Sequence, residues 1–164
     1  MNMTVQELPT LHLVCGKIAS GKSTLTRQLL AAPKTVLISE DEWLSQLFPA
    51  EMVTLHDYVR CTTRLRGLIG THVEHLLRAG ISVVLDFPAN TVETRRWMRS
   101  IFENAASTHC LHYLDVSDAQ CKERLQRRNN DGSHRFTTSE AEFDVITSYF
   151  VAPSAEEDFN VLKA

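Results

Sequence analysis

No run of this chain approaches the roughly 20 consecutive apolar residues that a membrane-crossing helix needs. The opening MNMTVQELPT also lacks the basic-then-apolar order of a secretory signal. Both absences predict a cytoplasmic protein with no membrane partner. The four cysteines, Cys15, Cys61, Cys110 and Cys121, lie far apart without a C-x-x-C pair, so neither a zinc site nor a disulfide framework is suggested and buried reduced thiols are expected. The seven histidines show no H-E-x-x-H or comparable metal spacing. Basic charge is not in excess either: 17 Lys and Arg stand against 20 Asp and Glu, for a formal net charge of −3. A long nucleic-acid footprint, which needs a basic stripe, is therefore not expected, and any polyanionic partner should be small. Repeats, low-complexity tracts and Pro/Gly/Ser-rich linkers are missing too. With 164 residues, 43% of them hydrophobic, the expectation is one domain spanning 1–164 with a sizeable core.

What is present alternates. Short β-prone runs recur at 11–15 (LHLVC), 35–39 (TVLIS), 81–87 (ISVVLDF), 109–116 (HCLHYLDV) and 159–162 (FNVL), with helical patterns between them. Strands alternating with helices predict an α/β fold built on a parallel sheet. Ser39-x-x-Glu42, Asn90-x-x-Glu93, Ser117-x-x-Gln120 and Ser139-x-x-Glu142 resemble N-caps with a reciprocal partner, and predict four helix starts. The spans 56–79 and 92–106 each carry an apolar stripe, as crossover helices do. Gly67 and Gly70 inside the first would permit close packing or a bend.

One turn carries the most chemistry. Gly16-Lys17-Ile18-Ala19-Ser20-Gly21-Lys22-Ser23 satisfies G-x-x-x-x-G-K-[ST] between a predicted strand and a predicted helix that includes Thr24. Glycine permits positive φ and close approach, so successive amides can point inward at an anion. The helix N-terminus adds about half a positive charge; Lys22 adds a whole one for the β and γ phosphates of a nucleotide, and Ser23 offers a hydroxyl to Mg2+.

In a parallel sheet the C-terminal strand ends share one rim, so residues far apart in sequence converge there. Asp41, after the second strand, is the candidate general base for phosphoryl transfer to a hydroxyl; the alternative is plain helix N-terminal charge, shared with Glu40 and Glu42. Trp43 either walls an acceptor pocket or fills the core. Asp86 closes SVVLD as a Mg2+ ligand acting through water would, and Phe87-Pro88 follow where a hydrolytic ATPase has a glutamate, which favours transfer over hydrolysis. Arg124, Arg127 and Arg128 recur at i, i+3 and i+4, and Arg135 follows the Asn129–Gly132 stretch. Arg124 and Arg128 are the candidates for gripping phosphate, in a lid over roughly 127–137. Arg64 and Arg95 are candidates for the acceptor side. His56-Asp57 reads as a surface loop pair, with a catalytic pair as the alternative.

With these residues in view, the chain resembles the small P-loop kinases grouped around phage polynucleotide kinase, the zeta toxins and chloramphenicol phosphotransferase, and looks closest to the small bacterial kinases placed with the AAA ATPases. The resemblance is carried by GKIASGKST, ISEDEW, VVLDF with ETRRW, YLDV with CKERLQRRN, and EAEFDVITSYF with EDFNVL. It implies a three-layer α/β/α P-loop NTPase fold with an adenylate-kinase-like five-stranded sheet of order 2-3-1-4-5. It also implies ATP as donor, Asp41 as catalytic aspartate, and Arg128 in or near the position of the lid's catalytic arginine. Where the phage enzyme carries an arginine after D-D-Y, this chain has Leu44 after Asp41-Glu42-Trp43. That departure and the acidic balance favour a small hydroxylated acceptor. A kinase of nucleic-acid 5′-hydroxyl ends or of a nucleotide-sugar, and a nucleotide-dependent switch with weak ATPase activity, are the alternatives.

Overall fold

The structure, a computed structural model, describes residues 8–132 and 137–164. Five strands, β1 (Thr10–Cys15), β2 (Thr35–Ser39), β3 (Ser82–Pro88), β4 (Thr108–Tyr113) and β5 (Val161–Lys163), form one sheet of order β2-β3-β1-β4-β5. Every pairing is parallel. The helices are α1 (Lys22–Leu30), α2 (Glu40–Leu47), α3 (Leu55–Arg78), α4 (Val92–Ala105), α5 (Asp118–Asp131) and α6 (Glu140–Thr147). Each right-handed crossover demanded by parallel pairing supplies a helix to cover the sheet, and here both faces are covered.

Three of the four expected N-caps hold: Ser39, Ser117 and Ser139 accept from the backbone of Glu42, Gln120 and Glu142. The fourth does not. Thr91 caps α4 by accepting from Thr94, which leaves Asn90 free for another task. Asp57 closes a capping box with Thr54 at the start of α3, a structural role for that carboxylate.

Alternation along the strands divides the core. Leu11, Leu13 and Cys15 of β1 join Val83, Leu85 and Phe87 of β3 and the apolar stripes of α3 and α4 in the main buried cluster. The intervening Val14 and Val84 are buried outside that cluster, on the face that α1 covers. Gly70 of α3 packs closely on α4: a Cβ there would stand 3.3 Å from Trp97 Nε1 and 3.8 Å from Ile101 Cγ1, so its lack of a side chain serves packing. A smaller cluster, Cys121, Leu125 and Phe143, joins α5 to α6. Among the described residues no helix is long and apolar enough to cross a membrane.

Arg95 corrects an expectation. It is fully buried, and its guanidinium donates to Glu157 Oε2 at 2.7 Å, Glu157 Oε1 at 2.8 Å, Ala89 O at 2.9 Å and Val151 O at 2.8 Å. With a further bond to Ala152 O at 3.5 Å, a bidentate ion pair and three carbonyls use up its five donors, so it pins the C-terminal segment onto α4 and does not reach an acceptor. The bonded guanidinium holds the Glu157 carboxyl below its ordinary pKa. Replacing Glu157 by Gln leaves a buried cation without its counter-charge and should cost about 3 kcal/mol of stability at pH 7, measured by urea unfolding. Because the folded-state pKa is lowered, the natural chain's advantage should be complete above the usual carboxylate range and vanish as pH falls through the lowered value.

Candidate active site

The C-terminal strand ends meet at one rim, and a cavity of about 570 Å3 opens there. The loop between β1 and α1 forms one wall. Gly21 lies at φ +108 and Ala19 at φ +59, left-handed conformations that curl the chain and bring it into a helix start. The first amides of α1, those of Lys22 and Ser23, have no preceding helical carbonyl to bond, while Thr24 N donates to Gly21 O at 3.1 Å. Gly16 is required for a different reason: a Cβ there would stand 2.5 Å from Ser20 Oγ and 3.2 Å from Leu114 Cβ. Lys22 Nζ donates to Gly16 O and to Lys17 O, each at 2.7 Å, and so lies across the mouth of the loop. Lys17 turns away, its Nζ pairing with Asp118.

Ile18, Ala19, Gly21, Lys22, Ser23, Thr24, Asp41, Asp86, Arg124 and Arg128 line the cavity. Ser39 is paired with Asp86 across β2 and β3, which sets the carboxylates of Asp86 and Asp41 on neighbouring strand ends. The β1–β3 register slips between Leu13 and Val14, beside Asp86, and such irregularities re-aim a side chain at a sheet's rim. Burial lowers the Lys22 pKa, opposed by the nearby Asp86 and Asp41 carboxylates. Burial raises that of Asp86, opposed by Lys22 and reinforced by Asp41. The Arg128 pKa is lowered by burial and raised by Asp41. Lysine, two carboxylates and an arginine therefore feel one another across the gap, yet among the described residues neither Asp41 nor Asp86 has an ion-pair partner within 4.0 Å. Arg124 leans over the loop and donates to Ser20 O at 3.1 Å.

Other candidates lie elsewhere. Trp43 packs against the main core and is not on the cavity wall, so of its two readings the core one describes its position. Arg64 is exposed on α3 and also outside the cavity. Arg127 points to solvent and pairs with Glu123. The segment expected as a lid is divided: 127–131 continue α5, while 133–136, with Arg135, lie outside the described residues.

Several residues at the site escaped the sequence reading. Asn90 holds Gly16 at both ends, its Oδ1 accepting from Gly16 N at 2.9 Å and its Nδ2 donating to Gly16 O at 3.0 Å. Tyr58 and Arg27 line the cavity. Glu40, beside Asp41 in sequence, is buried; its Oε2 accepts from Tyr58 Oη at 2.8 Å and its Oε1 lies 3.6 Å from Arg66. Burial pushes its pKa up against the pull of that hydroxyl and guanidinium. The rim rule could have found Asn90, since it lies just past the C-terminal end of β3; the Tyr58–Glu40 contact joins two helices and has no local signal.

Residues 11–153 match the family model described as an AAA domain. The chain belongs to that family. No curated protein matches this AAA domain in sequence, but solved structures share its fold. One is a protein of Chloroflexus aurantiacus thought to be a kinase, 20% identical with a TM-score of 0.72 over 96% of this chain and 85% of that one. A chain of the Pnkp1/Rnl/Hen1 RNA repair complex is 15% identical with a TM-score of 0.69, over 91% of this AAA domain but 46% of its own length. The Mycobacterium tuberculosis APS kinase CysC, solved with AMPPNP and APS, is 18% identical with a TM-score of 0.62, over 96% and 89%.

The Asn90 clamp should be measurable apart from the phosphate contacts. Asn90→Ala removes two hydrogen bonds of about 1 kcal/mol each, and the freed loop should bind ATP roughly 10-fold to 30-fold more weakly in calorimetric titration. Lys22→Met should abolish the binding heat, and a circular dichroism spectrum unchanged from the natural chain would show that the fold survives.

Proposed function

We propose that this chain is an ATP- and Mg2+-dependent phosphotransferase that moves the γ-phosphate to a hydroxyl of a small-molecule acceptor, in one domain spanning 1–164 with 127–137 as a lid. The observation that carries this reading is Asp41: a carboxylate without an ion-pair partner among the described residues, on the wall of the same cavity as Lys22 and Arg128. Kinases among the solved structures of the same fold support it. A small acceptor is favoured by the net charge of −3 and by the cavity's size, which lies in the range of small-molecule pockets.

The roles follow from position. The loop from Gly16 to Thr24, with Lys22 and Arg124, receives the phosphates. Ser23 and Asp86, the latter through water, are the residues that would hold Mg2+. Their fit rests on the half-buried Asp86 carboxylate, which has no ion-pair partner among the described residues and shares the cavity wall with the Ser23 hydroxyl. The ion supplies charge neutralisation on the phosphate oxygens. Asp41 accepts the acceptor's O–H proton as the new O–P bond forms and the bond from the γ-phosphorus to the β-phosphate's bridging oxygen breaks, releasing ADP. Arg128 faces the charge that spreads over the equatorial oxygens. Tyr58 borders the Asp41 side of the cavity.

With γ-labelled ATP, Mg2+ and a panel of sugars, nucleosides, other small alcohols and 5′-hydroxyl oligonucleotides, label should move to a small alcohol. Asp41→Asn should lower that rate by about 10²-fold to 10⁴-fold while leaving ATP affinity within a few-fold. Label reaching only water, at the same rate in both proteins, would overturn transfer in favour of a nucleotide-dependent switch. Label on the oligonucleotides alone would move the acceptor to nucleic-acid ends.

A further inference from the structure

Away from the cleft, one cluster of side chains takes no part in the proposed reaction. β1 and β4 run parallel, with His12 opposite Cys110 and Val14 opposite His112. Leu11, Leu13 and Leu111 point into the main core, so the alternating His12, Cys110 and His112 share the opposite face of the sheet. His12 Nδ1 and His112 Nε2 are 3.0 Å apart. One ligand atom from each of the three residues lies within 4.8 Å of the other two. Sequence spacing hides this arrangement, because one histidine is about a hundred residues from its partners and only strand pairing closes the gap.

The cluster is chemically unfinished as packing. The hydrogen bond between the two rings uses one nitrogen of each. His112 Nδ1 is buried and has no hydrogen-bond partner among the described residues, in whichever direction that bond runs. His12 and Cys110 are partly open to solvent and His112 is buried, so there is an approach from outside and a closed floor.

We propose that His12, Cys110 and His112 bind a soft divalent cation of the zinc class, with a fourth position left to water. The donor set is two imidazole nitrogens and one thiolate sulfur, which suits zinc and does not suit Mg2+, a cation that takes oxygen ligands. With Zn–N near 2.0 Å and Zn–S near 2.3 Å, a tetrahedral centre sets its nitrogens about 3.3 Å apart and sulfur about 3.5 Å from each. Side-chain rotation that opens the two rings by a few tenths of an ångström and draws the thiol inward would complete the set. Binding releases one proton, from the Cys110 thiol to solvent; each ring remains neutral and carries its proton on the nitrogen that does not bind. The ion would tie β1, which leads into the phosphate loop, to β4, which leads into α5 and its arginines. This inference stands on the strand pairing and does not depend on the phosphotransferase reading.

Co2+ is the optical probe, because a thiolate ligand gives it a charge-transfer band that oxygen ligands in the cleft cannot produce. The metal-free full chain, titrated with Co2+, should develop that band to saturation at one equivalent, and Zn2+ should abolish it. Cys110→Ser should show no band, and His12→Gln a band that requires at least ten times more Co2+. Zn2+ should raise the thermal midpoint of the natural chain and not that of Cys110→Ser. A natural chain without the band, or a band of full strength in Cys110→Ser, would overturn the proposal. Should the variants fold poorly, brief alkylation of the natural chain read by mass spectrometry decides instead: Zn2+ should shield Cys110, and labelling of Cys110 unchanged by Zn2+ would count against the site.

Discussion

A single ammonium group organises the cleft. Lys22 is held by two loop carbonyls at 2.7 Å, loses hydration there, and faces the carboxylates of Asp86 and Asp41 from neighbouring strand ends. A partly desolvated charge is expensive to hold unless opposite charge stands close. The two carboxylates offset that cost at Lys22, and Lys22 in turn opposes the rise that burial imposes on the Asp86 pKa. Everything else at the rim serves to keep these groups near one another without letting them collapse into a contact pair.

That separation is a property of the sheet. Parallel strands in order β2-β3-β1-β4-β5 place the loop after β1 beside the ends of β3 and β4, with β2 one strand further out. Asp41 therefore approaches from the far side of Asp86, and Arg124 and Arg128 from the β4 side. The cavity between them is bounded by elements that are each anchored in the core: α2 by the buried Leu44, α5 by Cys121 and Leu125. Chemistry at the rim and packing below it are thus one arrangement, and Arg95 with Glu157 extends that packing to the end of the chain.

Much of this was legible in residue order. The loop pattern, the strand runs and three serine caps depend on local rules, and the local rules held. Asp41, Asp86, Arg124 and Arg128 came together because parallel topology makes strand ends converge. Arg95 misled because helical spacing tells which residues share a face and not which face meets the core; its partner, Glu157, lies 62 positions away. Trp43 was open between two surroundings for the same reason. Asn90 looked like a cap because it precedes a helix by the right interval, and only the tertiary position of Gly16 shows its use. The His12–Cys110–His112 group was illegible because cross-strand neighbours leave no trace in spacing along the chain.

The Asn90 side chain behaves toward Gly16 as a neighbouring strand would, presenting one acceptor and one donor in a single plane. Few substitutes can imitate it. Aspartate offers no donor at neutral pH, serine is too short to span both atoms, and glutamine must freeze an additional torsion. The clamp thereby fastens the loop to the turn that directly follows the strand carrying Asp86, so a shear of β3 would displace the cradle and the carboxylate together. Their mutual spacing is insulated from breathing elsewhere in the sheet, a kind of mechanical common mount for the two halves of the phosphate site.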